Sequence, residues 1–402
     1  MARATYVAGV TVFDGHRLRR RQGVLIEDER IEWVGPHVRA PRESRGARSV
    51  DGAGRTLSPG LVDCHVHLNF DGGADFAGEA AGMDVALATI KATANARRHL
   101  ANGVTTVRDL GGLGTCALAG AIEQGVVPGP RLVAAGRALT VTGGHGHNVA
   151  FAREVDGADD VRRAVREEIK AGATAIKVVA TGGVLTPGIG ATFTAFTPSE
   201  IGAAVDEAHK WGRGVAAHAI GGEGVGHAVR AGVDSVEHCV QLTPAVARMM
   251  RDQGTFRGPT LCAAFGMLEH PAEVPDYAIE KIRSIIDDAE RSQAVSLRAG
   301  VRHVCSTDAG TPFNPHGGAP RELARLVSWG MRPLDAMVVG TSSGAELLRV
   351  PDIGVIDVGA LADLVLYDAN PVDDIDALQS PRTVWKGGEV MAGRAPGVRS
   401  AG

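Results

Sequence analysis

Short apolar runs recur along the middle of the chain, at 61–67, 104–109, 132–136, 175–180, 214–219, 235–238, 256–262 and 303–308. Stretches with helical periodicity lie between them, the clearest at 159–171, 199–211 and 277–299. Runs this short and this apolar, alternating with helices, read as strands of a parallel sheet covered by helices. Eight strand-and-helix units over about 250 residues predict an α/β fold, a (β/α)8 barrel spanning 61–348. A doubly wound open sheet is the competing arrangement. The polar positions favour the barrel, whose catalytic groups come from the C-terminal ends of several different strands.

The flanks have a different texture. Strand and turn signals at 6–12, 23–27 and 30–34 end in Gly35-Pro36, and the Arg-rich stretch 38–48 reads as an exposed loop. The same texture returns at 352–359, 362–367 and 384–390. Neither piece, 1–60 or 349–402, is large enough to hold a core alone, so the two are expected to pack as one small β-sandwich.

The chemistry-bearing residues sit at the ends of the central runs: His65 and His67, Lys177, His218, His238 and Asp308. Side chains two apart on a strand share a face, so His65 and His67 can reach one point in space. Imidazole and carboxylate are ligands for zinc and related divalent ions, and four histidines with one aspartate exceed the needs of one tetrahedral ion. Two metals is the natural count. Lys177 stands in an apolar run of a chain with only six lysines among 42 basic residues. Burial lowers a lysine's pKa, and the neutral amine can take up carbon dioxide to become a carbamate able to bridge two cations. A snorkelling or ion-paired lysine is the structural alternative.

Composition narrows the partners. A net charge of -4 gives no basic footprint for nucleic acid, and no run of about 18 apolar residues would span a bilayer. The first residues lack the apolar stretch of a signal peptide, so a cytoplasmic protein without a membrane partner is expected. Five scattered cysteines with no CxxC spacing suit neither a disulfide framework nor a thiolate zinc site. Cys64, Cys239 and Cys305 each neighbour a candidate ligand at positions that alternation turns away from it.

As a set, these motifs resemble the metal-dependent amidohydrolase superfamily, and within it the imidazolonepropionase-like and Xaa-Pro dipeptidase-like hydrolases with a binuclear zinc site. The resemblance runs through Ser58-Pro-Gly-Leu-Val-Asp-Cys-His-Val-His67, Arg108-Asp-Leu-Gly-Gly112, Gly143-Gly-His-Gly146, Ile176-Lys-Val-Val-Ala-Thr-Gly-Gly183, Ala217-His-Ala219, Gly232-Val-Asp-Ser-Val-Glu-His238, Ser306-Thr-Asp-Ala-Gly310 and Ile353-Gly-Val-Ile-Asp-Val-Gly-Ala-Leu-Ala-Asp363. It implies a distorted barrel with a β-sandwich built from both termini, and often a homo-oligomer. It also implies roles: His65, His67 and Asp308 on the more buried metal, His218 and His238 on the more exposed one, with carbamylated Lys177 and a hydroxide between them. Asp308 would shuttle the proton to the leaving nitrogen. His145, in a glycine-flexed loop, would donate to the developing oxyanion.

Substrate contacts are less determined. His147 reads equally well as a substrate contact or a loop residue, and His316, just after the last run, is the remaining histidine placed to contribute. Several dipeptidases carry a tyrosine or histidine where this chain has Ile220, so the usual grip on a substrate carboxylate is missing. Arg108, Arg137 and Arg153 are candidate replacements, although a structural role is the simpler reading of each. The leading expectation is a binuclear hydrolase of a C–N amide bond in a small molecule such as a dipeptide or N-acyl amino acid. A mononuclear cyclic-amide hydrolase or deaminase is the alternative, against which Lys177 counts. A non-catalytic scaffold is the third reading, against which retention of all six ligands counts.

Overall fold

The structure, a computed structural model, describes residues 4–393. The terminal parts of the expected sandwich, 1–3 and 394–402, lie outside the described residues. Two compact units divide the chain, one made of 4–62, 97–106 and 319–393 and the other of 63–96 and 107–318. The expected boundary at 348 therefore differs from the observed grouping, in which 319–348, three helices, belong with the terminal segments.

In the first unit, the N- and C-terminal pieces share one eight-stranded sheet, joined where Leu364–Tyr367 runs antiparallel to Thr56–Pro59. The pairing is one continuous ladder, with Arg48–Asp51 added beside Thr5–Phe13, rather than two independent sheets. Its apolar core draws on both ends of the chain, with Val10, Ile26 and Ile31 packed together with Leu364, Leu366 and Trp385.

The second unit is α/β, built on a seven-stranded parallel sheet. From Ala138–Thr140 the strands Ala175–Val179, Gly214–Ala219, Ser235–His238, Phe256–Gly258 and Arg302–His303 follow in sequence order. Ala152–Glu154 pairs with the other edge of Ala138–Thr140, so the later strands add in sequence order on one side only. A three-stranded sheet of Leu61–Val66, Val104–Asp109 and Arg131–Ala134 completes the expected strands. Two expectations change. The last run is a strand only at Arg302–His303, because the chain at 304–308 leaves the ladder to carry Asp308. The run at 256–262 is a strand only to Gly258, and from Leu261 it is helix.

Alternation explains the placement of polar groups. Ile176, Val178, Val215, Ala217 and Ala219 pack outward with helix residues such as Val165, Ile201, Ala204, Val225 and Met250. The intervening positions, Ala175, Lys177, Ala216 and His218, therefore share the opposite face.

His303 is buried, with Nδ1 2.9 Å from the Val301 carbonyl and Nε2 2.9 Å from Ser296 Oγ. Burial, then the nearby Arg257 charge, pushes its pKa down to about 3. The fold keeps this imidazole neutral while the unfolded chain protonates it near 6.5. Its contribution is thus complete above about pH 6.5 and is lost on acidification toward pH 3, by up to about 1.4 kcal/mol per pH unit. Urea unfolding across that window should show a His303→Gln variant with a slope against pH shallower by one proton; an unchanged slope would contradict the assignment.

Candidate metal centre

At the end of the first central strand, His65 and His67 converge on Asp308, whose Oδ1 lies 3.3 Å from Nε2 of each. Donor atoms of these three residues all lie within 4.8 Å of one another. Lys177 Nζ is 3.4 Å from the same His65 Nε2. The rings of His65 and His238 have centroids 5.5 Å apart, those of His238 and His218 4.5 Å, and those of His218 and His145 4.8 Å. All six expected ligands thus form one connected cluster, with His145 beside it.

Each imidazole has one nitrogen held by a group outside the six-residue cluster, while Nε2 of His65 and of His67 faces Asp308. His65 Nδ1 meets Glu237 Oε2 at 3.2 Å, and His67 Nδ1 meets the Gly111 carbonyl at 3.1 Å. His218 Nε2 meets the Gly182 carbonyl at 2.7 Å, and His238 Nδ1 meets Thr260 Oγ1 at 2.7 Å. Partnering one ring nitrogen fixes the tautomer and orients the other, as metal-binding histidines require. Burial, followed by neighbouring positive groups, holds His65, His218 and His238 well below the ordinary histidine pKa, so they are neutral with a free lone pair. At His67 burial opposes protonation, but the hydrogen bond and charge of Asp308 outweigh it and raise its pKa. Burial would raise Asp308 too, yet His65, His67 and Lys177 together lower it, so it is a carboxylate. Imidazoles, of which His65, His218 and His238 are held neutral and His67 is paired with Asp308, together with that carboxylate are a donor set that fits divalent metal.

The backbone departs from strand geometry at three of these positions. His238, Thr260 and Asp308 have φ of 65°, 56° and 58°, the left-handed region that non-glycine residues rarely occupy. On a continuing strand Glu237 and His238 would face opposite sides. The turn at His238 lets both face the cluster, Glu237 through His65 Nδ1 and His238 through its ring contacts.

Several residues that hold the site, Glu237, Asp63, Asp109 and Asn314, were not singled out from the sequence, and Arg108 was singled out for a different role. Glu237 also accepts from Arg108 at 2.8 Å and from Ser235 Oγ at 2.6 Å, and Arg108 Nε donates to the Cys64 carbonyl at 2.7 Å. Arg108 is therefore a buried partner of Glu237 and not a substrate anchor. Arg137 and Arg153 are likewise engaged, with Glu168 and Glu167. Asp63 accepts from the backbone N–H and hydroxyl of Thr307, and Asn314 donates to the Thr307 and Asp308 carbonyls, which together fix the turn carrying Asp308. Asp109 accepts from the backbone of Leu68 and Gly111, steadying the loops on either side of His67. The signal was available: each is a charged or amide group in or beside an apolar run, the same oddity that marked Lys177.

The cluster borders a cavity of about 300 Å3 whose lining includes His65, His67, His145, Lys177, His218, His238 and Asp308. The rest of the wall is largely apolar, with Phe76, Phe151, Ile220, Leu261, Met267 and Ile285 among its members. His147 and His316 are not among the lining residues. His147 is exposed, with Nδ1 2.8 Å from the Gly144 carbonyl, and buried His316 has Nε2 2.7 Å from the Phe70 carbonyl. Cys64, Cys239 and Cys305 are buried, lie outside any disulfide, and do not line the cavity.

The amidohydrolase family model matches residues 56–391. The chain belongs to the amidohydrolase family. Ochratoxinase of Aspergillus niger is 32% identical over 96% of this chain and 85% of its own length. Imidazolonepropionase of Salinispora arenicola is 30% identical over 88% of this chain and 87% of its own. A crystal structure of a Xaa-Pro dipeptidase with methionine bound in its active site superimposes with a TM-score of 0.90 at 30% identity, covering 97% of this chain and all of that one (100%). The protein is accordingly a hydrolase of carbon–nitrogen bonds, and its α/β fold matches that of superfamily structures.

Glu237→Gln should weaken metal binding about 10- to 100-fold, because His65 loses the carboxylate that orients it. Competition with a chelator measures this, and wild-type affinity in the variant would remove Glu237 from the site's support.

Proposed function

We propose that this amidohydrolase cleaves the C–N amide bond of a dipeptide or N-acyl amino acid whose acyl or side-chain group is large and apolar. The observation that carries the reading is the cluster of six potential ligands set against an apolar cavity. His65, His67 and Asp308 would hold one divalent ion, zinc being the expected one, and His218 and His238 a second, with Lys177 between them as its carbamate. Such ions supply Lewis-acid polarisation of the scissile carbonyl and acidify water at neutral pH. Backbone hydrogen bonds from Cys64 to Cys305, from Asp308 to His65 and from Thr174 to Ala134 support reading the two sheets of the second unit as a distorted (β/α)8 barrel. Five cysteines with no disulfide among them fit a reducing, cytoplasmic setting.

The roles of the chain's own groups follow from their environments. Asp308, kept ionised by His65, His67 and Lys177, takes the proton of the attacking water and returns it to the leaving nitrogen. Lys177 is buried, and desolvation lowers its pKa to about 8. Its neutral amine adds to carbon dioxide with loss of one proton, giving an anionic ligand where an ammonium would have no lone pair. His145 borders the cavity and is the candidate donor to the oxyanion. Apart from Lys177 no lysine or arginine among the described residues lines the cavity, and Ile220 occupies its wall, so apolar contact supplies the greater part of substrate binding.

One observation favours the mononuclear cyclic-amide alternative: among the described residues only His65, His67 and Asp308 already form a tight three-ligand group. Metal content separates the readings. Elemental mass spectrometry of protein purified with zinc and bicarbonate should give about two equivalents per chain, and one equivalent would favour the alternative. Lys177→Ala should lose the second equivalent together with activity, with partial rescue by short carboxylic acids; full metal occupancy in that variant would contradict a bridging lysine.

Asp308→Asn should cut kcat on dipeptides and N-acyl amino acids by more than about 100-fold, since the proton shuttle and a ligand are altered together. Turnover within about tenfold of wild type would sink the assignment.

A further inference from the structure

Thr186 lies in the loop after the strand Ala175–Val179 and is buried. Its hydroxyl makes two contacts: Oγ1 accepts the Gly146 backbone N–H at 3.0 Å and lies 2.7 Å from His145 Nδ1. A hydroxyl has one hydrogen to give and two lone pairs to receive. With Gly146 occupying one lone pair, the hydroxyl hydrogen has one acceptor among the described residues, His145 Nδ1. A hydrogen on Nδ1 would leave the threonine hydrogen buried with no acceptor. The ring hydrogen therefore belongs on Nε2, which has no protein partner among the described residues, on a side chain that lines the cavity. Which imidazole nitrogen is protonated is set in this way by the bond the other makes.

The loop bearing Thr186 is itself pinned. Lys281 Nζ donates to the carbonyls of Gly183, Val184 and Thr186 at 3.2, 3.4 and 2.6 Å, and Tyr277 Oη donates to Leu185 at 3.0 Å. Both come from the helix Asp276–Ala299. Gly183 admits the ring from another side, since a Cβ there would fall 2.3 Å from His145 Nε2.

We propose that Thr186 is a positioning residue that fixes His145 in the Nε2–H tautomer, so that this N–H is presented to the substrate's carbonyl oxygen as it becomes an oxyanion. The use made of the donor rests on the amide-hydrolase reading above; the tautomer does not. Lys281 and Tyr277 hold the threonine where it can act.

The test is 15N NMR of the metal-loaded, histidine-labelled enzyme, with the His145 signals assigned by their loss in His145→Asn. The wild type should show Nδ1 unprotonated and Nε2 protonated. Thr186→Val keeps the shape and removes the hydroxyl; it should give a mixture of tautomers and a kcat lower by about tenfold or more, with KM within about threefold and metal content unchanged. Thr186→Ser should restore both the spectrum and kcat. A wild-type His145 protonated on Nδ1, an unchanged tautomer or unchanged kcat in Thr186→Val, or a serine variant no better than valine, would each overturn the proposal. Failure of the wild type to hydrolyse any amide would overturn the amide-hydrolase reading instead, and the spectrum would still decide the tautomer.

Discussion

The buried pair of Arg108 and Glu237 is the interaction on which the site depends. Neither is appreciably exposed, at 2% and 0%. Taking both charges out of water costs several kcal/mol per ion, and their attraction compensates only if the remaining donors and acceptors are satisfied. Here Ser235, the Cys64 carbonyl and His65 Nδ1 satisfy them. The result is more than local stability. Glu237 fixes the His65 tautomer, and the freed His65 Nε2 is the atom that both Asp308 and Lys177 approach. An uncharged isostere in place of Glu237 would leave Arg108 buried without its counter-charge, so the pair cannot drift without disturbing the cluster.

The second constraint is geometric. Parallel strands project side chains alternately up and down, while a metal centre needs several ligands aimed at one region. His65 and His67 meet that need by spacing alone. Elsewhere the chain leaves the strand through left-handed residues at His238, Thr260 and Asp308, each carrying a cost of about 1–2 kcal/mol for a non-glycine residue. The hydrogen bonds that offset the cost are the ones that orient the candidate ligands: His238 with Thr260, and Asn314 and Asp63 around Thr307 and Asp308. Strain and alignment are two aspects of the same turns.

These two constraints explain what was legible in the sequence. Strand-helix alternation and the His-x-His pair are local periodicities, and they gave the α/β unit and the residues of the cluster. Lys177 stood out because an ammonium in an apolar run requires a reason. Glu237 and Asp63 carried the same oddity but were hidden by more obvious neighbours, His238 and His65, and Arg108 was read as a possible substrate anchor rather than as a partner of Glu237. Their partners are far away in sequence, as with Arg108 and Glu237 at a separation of 129, and spacing does not report such pairings. The shortened strands at 256–258 and 302–303 were missed for a related reason. An apolar run marks burial, and both a strand and an irregular segment tied by side chains can be buried. His316 misled in the opposite direction: it lies near the last ligand in sequence, yet its ring is spent on the Phe70 carbonyl.

The division of labour between the polar cluster and the apolar cavity wall bears on selectivity. Apolar contact contributes about 0.8 kcal/mol per buried methylene, roughly a fourfold change in binding for each carbon that the wall accepts. Discrimination by such a surface is graded, because one methylene more or less never produces an all-or-none choice. A polar wall would behave differently, since a missing hydrogen bond leaves a buried group unpaired. With Ile220, Leu261 and Met267 on the wall and the charged groups gathered into the candidate ligand cluster, the proposed function places recognition mainly on size and apolarity. That arrangement suits an enzyme whose cluster demands one kind of bond while its wall tolerates a range of groups attached to it.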